Sequence, residues 1–367
     1  MPRFIHTADW QIGRHYPFLE ADDAVRLADA RLAAVVRLMA LAVRLDVDAV
    51  LVAGDVFDAQ TVSDKTLRRL FAALGTERAV VLLPGNHDAA LAESVWTRAQ
   101  RLDLVPPQVH LALRPEAIVL PSMAVLPAPL VQRHTRGDAT AWFDTAETPP
   151  GLCRIGLAHG SVQGILAEGM DADNPIAADR AQRARLDYLA LGDWHGLRQI
   201  DARTAYSGTP EPERFRDNGA GQALLVEVDA PGALPRLRPL ATAAHTWQQQ
   251  AVDLQVPSDV AALIDASTRW PARLVLRLVL SGHIDLASHA RLQRALDEAR
   301  ARVASLSVDE QGLQVAASEA ELDELAVDGY LLDVLAELRA RQAQGDATAD
   351  EAMRVFARSL MQQRGLA

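Results

Sequence analysis

The chain has 367 residues, is 49% hydrophobic, and carries a mean hydropathy of +0.00 with a net charge of -11. That composition belongs to an ordinary globular protein, not to a disordered or fibrous one. The negative balance excludes a surface coated in Lys and Arg of the kind a purely electrostatic nucleic-acid binder needs, but not a nucleic-acid substrate held by local Arg clusters.

No apolar run approaches the ~20 residues of a membrane span. The single Cys153 has no partner for an internal disulfide, and the start MPRFIHTADW lacks a charged-then-apolar signal pattern. A cytoplasmic protein that does not enter the membrane is the expectation.

In chain order, PRFIHTAD reads as a short strand, and the following run places Val25, Leu32, Val35, Val36, Met39 and Val43 at helical spacing. Ala49 to Asp55 is a second strand. A helix that Ser63 can cap and Gly75 can end comes next, and Ala79 to Asp88 is a third strand. This β-α-β-α-β alternation predicts a parallel or mixed sheet covered by helices, with ligands bound beyond the carboxyl ends of its strands.

Residues 106–150 are rich in Pro and read as short strands and exposed loops. Strands ending at His159 and at Asp193 follow, and AYSGTPEPERFRD and QALLVEVDA read as closing strands. Several Pro residues between Pro231 and Thr242 read as a linker. The predicted division is a domain over 1–242, a small β-α-β-α-β cap over 243–318, and a charged helical tail over 319–367. In that tail Leu331, Leu332, Leu335 and Leu338 are placed to pack on the cap or on another protein.

Five of these segments end in residues that bind metals: Asp9 in HTADWQIG, Asp55 in VAGDVFD, Asn86, His87 and Asp88 in LPGNHD, His159 in LAHG, and Asp193 with His195 in LGDWHG. Carboxylates and imidazoles converging on one crevice repel or stay unpaired unless cations neutralise them. The set therefore points to a two-metal hydrolase of phosphate esters, with ions about 3.5 to 4 Å apart that activate water and neutralise phosphate charge. Asp55 is placed to bridge the ions, Asp9 to serve one and Asn86 the other, and His159 and His195 to supply nitrogen. His87 faces the scissile phosphate as general acid, with Asp88 either orienting its imidazole or serving only the structure.

These motifs, in this order, resemble those of the calcineurin-like metallophosphoesterases. Within that superfamily HTADWQIGR, GDVFDAQTVSDKTLRRLF, YLALGDWHG and AYSGTPEPERF are similar to SbcD-type nuclease subunits. The resemblance covers residues 1 to about 216. It implies a four-layer α-β-β-α sandwich, two manganese ions, exonuclease and endonuclease activity in DNA double-strand-break repair, a homodimer, and an SbcC-type coiled-coil ATPase partner. It further implies that Asp9, Gln11, Asp55 and His195 hold one metal, and that Asp55, Asn86, His159 and Asp193 hold the other.

The family usually has His where this chain has Gln11 and Asp193. Either residue can coordinate through oxygen or can hydrogen-bond to a ligand, and an oxygen-richer site favours Mn²⁺ or Mg²⁺ over Zn²⁺. Two other functions compete with a DNA nuclease: a phosphodiesterase or phosphatase acting on nucleotides and other small molecules, and a non-catalytic scaffold that docks an ATPase. Trp10 and Trp194 are expected to pack against each other, with base stacking as the alternative. His6 and His15 flank the first motif and are read as structural. Arg180, Arg183 and Arg185 suit either phosphate contact or a solvated helix face.

Overall fold

The computed structural model describes residues 1–164, 173–215, 217–315 and 329–346, together with 348, 349, 351–353, 355, 356 and 359. The chain divides into two compact units, Met1–Thr246 and Trp247–Ala367.

The first unit opens with β1 (Arg3–Thr7), α1 (Ala21–Arg44), β2 (Ala49–Val52), α2 (Asp64–Ala73), β3 (Ala79–Leu82), α3 (Val95–Arg101) and β4 (Val109–Leu111). Ser63 caps α2 by accepting from the Thr66 amide at 3.1 Å. Then come β5 (Ile118–Val119), β6 (Met123–Ala128), β7 (Cys153–His159), β8 (Ser161–Val162), β9 (Pro175–Ile176), α4 (Arg180–Arg183), β10 (Tyr188–Gly192), β11 (Arg198–Gln199), β12 (Thr204–Tyr206), β13 (Gln222–Glu227) and β14 (Arg236–Ala241). One six-stranded sheet runs β14-β13-β1-β2-β3-β4, and a second runs β11-β12-β10-β7-β6-β5.

Strand periodicity sorts the side chains into layers. In β2 and β3, Val50, Val52, Val80 and Leu82 face the buried stripe of α1, while Leu51 and Val81 face the other way. There they meet Val125, Ile155, Leu157 and Ala190 of the second sheet. The opposite face of that second sheet, with Leu126, Leu189 and Leu191, is covered by Ala181 of α4 and by Phe143 of a short 3-10 turn. Strands buried on both faces read as continuous apolar runs, as AVLV and AVVL do. The result is a four-layer α-β-β-α sandwich.

Three local expectations fail. β6 lies inside the Pro-rich 106–150 stretch yet is buried along its whole length, because its two faces serve both the inter-sheet core and the outer core. The segment expected as a linker contains β14, which pairs antiparallel with β13 from Gln222–Ala241 to Glu227–Arg236. Its pattern alternates too weakly to announce a strand, because only Leu240 of its six residues is buried. Val25 and Val36 are 65% and 51% exposed; the buried stripe of α1 includes the expected Val35 and Met39 and otherwise runs through Leu27, Ala34, Leu38 and Ala42.

The second unit, entered along β15 (Thr246–Leu254), continues with α5 (Pro257–Thr268), β16 (Leu274–Ile284), α6 (Leu286–Arg300) and β17 (Ser305–Val315). Its three strands are ordered β15-β16-β17 around one core that includes Leu263, Leu278 and Leu296. In the helix Gly329–Ala343, Leu335 is buried, Leu331 and Leu338 are half-buried, and Leu332 is exposed. The expected tail at 319–328 and 360–367 lies outside the described residues. No helix among the described residues is long and apolar enough to cross a membrane.

Candidate metal centre

Every metal-site residue expected from the sequence sits at or just beyond the carboxyl end of a strand. Asp9 and Gln11 follow β1, Asp55 follows β2, and Asn86 and His87 follow β3, three parallel neighbours in the first sheet. His159 ends β7, and Asp193 and His195 follow β10, parallel neighbours in the second. Backbone hydrogen bonds stitch the loops together: the Asp9 amide donates to the Gly54 carbonyl at 3.0 Å, and the Gln11 amide to the Asp55 carbonyl at 2.9 Å. Across the sheets, the Asp193 amide donates to the Asp9 carboxylate at 3.1 Å.

The backbone is strained here. Of eight non-glycine residues with positive φ among the described residues, four are Asp9 (54°), Gln11 (49°), Asp55 (52°) and Asp193 (100°). Such conformations cost free energy and concentrate where the surrounding structure over-determines a site. Gly192 permits the two sheets' strand ends to approach closely, because a Cβ there would strike the Ala53 carbonyl oxygen and the Ala8 side chain.

Two groups of donors result, sharing one carboxylate. Ligand atoms of Asp9, Asp55 and His195 lie within 4.8 Å of one another. Around His159 Nε2 stand Asn86 Oδ1 at 3.0 Å, Asp55 Oδ1 at 3.6 Å and Asp193 Oδ1 at 3.7 Å. Donors bound at about 2.1 Å to one octahedral ion are about 3 Å apart, so the second group is near to closed around a cation. Asn86 Oδ1 also lies 3.2 Å from both Asp55 oxygens. An amide oxygen facing two carboxylate oxygens is repelled unless a cation lies among them or the amide turns over to present its NH₂. Carboxylate, amide and imidazole donors in this arrangement fit a divalent ion.

Each imidazole is held through Nδ1. A carbonyl only accepts, so His159 Nδ1 donates to Ala53 O at 2.8 Å and His87 Nδ1 to Asp58 O at 2.8 Å. Both rings therefore carry the Nδ1 proton, which makes Nε2 of His159 the nitrogen that can ligate a cation once it gives up its own proton. His87 Nε2 points into the site, 3.9 Å from Asp55 Oδ2, on a side chain that is 31% exposed. His195 Nδ1 meets Glu213 Oε1 at 2.5 Å.

The electrostatics follow from burial among like charges. Burial, only partly offset by His195 and His159, pushes Asp9 up to about 6. Burial opposes the charged form of His159, but Asp55, Asp9 and Asp193 outweigh it and lift that imidazole to about 9. Glu213 is buried too, yet its bond to His195 and the charges of His195, Arg31 and Arg14 hold it well below the usual carboxylate range.

For Asp88 and Gln11, each left with two readings by the sequence, the structure has the structural and hydrogen-bonding one. Asp88 does not meet His87: its oxygens accept from the Gly85 amide at 2.6 Å and the Phe57 amide at 3.0 Å. It ties the loop after β3 to the loop after β2, while Asp58 orients His87. Burial and the Asp55 charge raise Asp88 to about 8. Gln11 donates from Nε2 to Asp55 Oδ2 at 2.8 Å, and its buried Oε1 has no partner. Trp10 and Trp194 do not pack together. Trp10 is in the core under α1, and Trp194 packs against the outer core of the second sheet with the Arg198 guanidinium 5.2 Å from its ring. His6 is buried against Tyr188 and the Leu191 carbonyl. Arg180 is buried in ion pairs with Asp138 and Asp144.

Glu213, Arg31, Arg14 and Asp58 were not singled out from the sequence. Glu213 lies in the PEPERF segment, where an acid beside Arg214 reads as surface charge, and its burial comes only from tertiary contacts. Arg31 interrupts the apolar face of α1, a signal that a buried charge has a partner.

Residues 2–284 match the calcineurin-like phosphoesterase family. The chain is 31% identical to the SbcD subunit of the SbcCD nuclease of Rhodobacter capsulatus over 288 residues, covering 65% of this chain and 69% of that one. It is 26% identical to the metallophosphoesterase YhaO of Bacillus subtilis over 310 residues, 76% of this chain and 71% of that one. The crystal structure of TT1561 of Thermus thermophilus aligns with a TM-score of 0.42 at 12% identity, covering 66% of this chain and 99% of that one. The strand-end donor groups and the match over most of the chain agree: this protein belongs to the calcineurin-like phosphoesterase family.

Proposed function

We propose that the chain is a metal-dependent phosphodiesterase that cleaves DNA, as exonuclease and endonuclease, in double-strand-break repair. The observation that carries this reading is the sharing of Asp55 between two donor groups. Two divalent ions, held by Asp9, Asp55 and His195 and by Asp55, Asn86, His159 and Asp193, would supply activated water and neutralise the phosphate. Gln11 reaches the first group as the donor that steadies Asp55 or, with its amide turned over, as an oxygen ligand. The predominance of oxygen donors favours Mn²⁺ or Mg²⁺ over Zn²⁺.

The protein's own groups do the rest. His87, with Nδ1–H committed to the Asp58 carbonyl, presents Nε2 to the leaving oxygen; as the imidazolium it gives its Nε2 proton to that oxygen and is left as the neutral ring protonated on Nδ1. Asp88 holds the loop that carries His87. The strained loops keep the donors preorganised, so no reorganisation is required during the reaction.

DNA as substrate is supported by the relative named as a nuclease subunit. The same relative supports an SbcC-type ATPase partner, and the motif resemblance supports a homodimer. A single, buried Cys153 fits a reducing, cytoplasmic setting. The test is turnover of linear duplex DNA, cyclic nucleotides and bis-p-nitrophenyl phosphate with Mn²⁺, side by side. Cleavage of DNA that His87→Ala abolishes supports the proposal. Turnover of cyclic nucleotides with intact DNA replaces the substrate, and no hydrolysis with fewer than one bound Mn²⁺ per chain leaves a scaffold.

A further inference from the structure

Beyond the donor groups lies a buried charge web that reaches both sides of the site. Glu213, 2% exposed, takes His195 Nδ1 on Oε1. Its Oε2 is 3.2 Å from Arg14 Nε and 3.7 Å from Arg31 Nη1. Arg14 also pairs with Asp58 at 3.0 Å, and the Asp58 carbonyl is the group that fixes His87. Arg31, 1% exposed, donates to the carbonyls of Asp9 at 3.0 Å and Trp10 at 2.8 Å. One carboxylate and two guanidinium groups thus connect the loops after β1, β2, β10 and β12.

We infer that Glu213 is a positioning residue that sets His195 for the metal, and that Arg14 extends the same control through Asp58 to His87. This rests on the metal-centre reading. A carboxylate on Nδ1 fixes the ring's tautomer and rotation, so Nε2 meets the ion without searching. Burying that carboxylate is costly unless it is paired: Arg214 Nη2 meets Oε1 at 2.5 Å, and Arg14 and Arg31 face Oε2. Arg14, with both an acid that holds a ligand and an acid that holds the proton donor, keeps the two imidazoles in register. His195 comes from the second sheet and His87 from the first, so no single strand or loop can do this.

The test is calorimetric titration of the full-length protein with Mn²⁺, wild type against Glu213→Gln, with thermal melting in EDTA as the check on folding. The wild type takes up two ions. In Glu213→Gln one binding event weakens about 10- to 100-fold while the other changes less than about twofold; the melting temperature in EDTA falls, because Arg31 loses its buried acid, but the protein still unfolds in one cooperative transition well above the titration temperature. Equal weakening of both events, or of neither, overturns the role of Glu213. A wild type that binds no Mn²⁺ overturns the metal-centre reading itself. Arg14→Met, at a side chain 26% exposed, leaves the Glu213–His195 contact and both binding events in place. It lowers kcat on bis-p-nitrophenyl phosphate several-fold at unchanged KM, and Arg14→Lys restores part of the loss. A wild-type kcat in Arg14→Met removes the link to His87.

Discussion

The two sheets of the sandwich contribute different chemistry to one site. The first supplies oxygen, from Asp9, Asp55 and Asn86, with Asp9 and Asp55 held in left-handed backbone conformations. The second supplies the nitrogens of His159 and His195, each pinned through Nδ1 to a partner outside its own strand, together with the carboxylate of Asp193, which again needs a positive φ. Oxygen donors are short and need the backbone itself to turn toward the ion, whereas an imidazole reaches further and needs only its rotation fixed. The centre is therefore not a property of either sheet, and it forms when the inter-sheet core brings the two strand ends together.

The largest effect that would break this comparison is at the shared carboxylate. Asp55→Ala removes a member of both donor groups, and both Mn²⁺ binding events are expected to disappear from calorimetry, with hydrolysis at background. Survival of one tight event would show that the groups do not share Asp55. Next comes His87→Ala, for which hydrolysis should fall about 10²- to 10⁴-fold while metal content by mass spectrometry stays at the wild-type value. Loss of metal in that variant would make His87 a ligand instead of a proton donor.

A third test addresses the junction between the sheets. Gly192→Ala places a methyl against the Ala53 carbonyl and Ala8, and an overpacked position of this kind costs about 1–3 kcal/mol. Urea unfolding should show that loss, and an unchanged midpoint would mean that the loops separate without penalty.

The smallest effect sharpens the electrostatic side. In the metal-free protein the folded state holds His159 at about 9 against an ordinary 6.5. Between those values the folded state binds more protons than the unfolded one, so the contribution of His159 is fully present below about 6.5 and is lost as pH rises through 9. Asp9, raised from 3.8 to about 6, acts with the same sign at lower pH. Asp88, raised from 3.8 to about 8, acts with the same sign within this range, so stability in EDTA should fall as pH rises from 6 to 9, with His159 alone contributing up to about 3 kcal/mol. Saturating Mn²⁺ should reverse the trend, because the ion competes with the His159 proton. A flat profile in EDTA would show that His159 is neutral in the metal-free site.

Much of this was legible in the sequence because strand ends write themselves in a short window. An apolar run that stops at Asp55, at Asn86 and His87, or at His159 announces both the strand and the polar tip. The capping of α2 by Ser63 is equally local. Less could be read where burial on two faces hides alternation, as in β6, or where an edge strand is mostly exposed, as in β14. Adjacency left Asp88 either orienting His87 or serving only the structure, and the backbone turns it toward the Gly85 and Phe57 amides.

The order of donor residues, their chemical types and the family they mark were determined by the sequence alone, since each depends on residues within a few positions of a strand end. Which nitrogen of each histidine stays free, how Glu213 and Arg31 come to be buried, and how Asp55 faces both donor groups were decided only by tertiary structure. Those outcomes depend on contacts between residues as far apart as Asp9 and Asp193, and no local pattern encodes the packing of two sheets that brings such residues within hydrogen-bond distance.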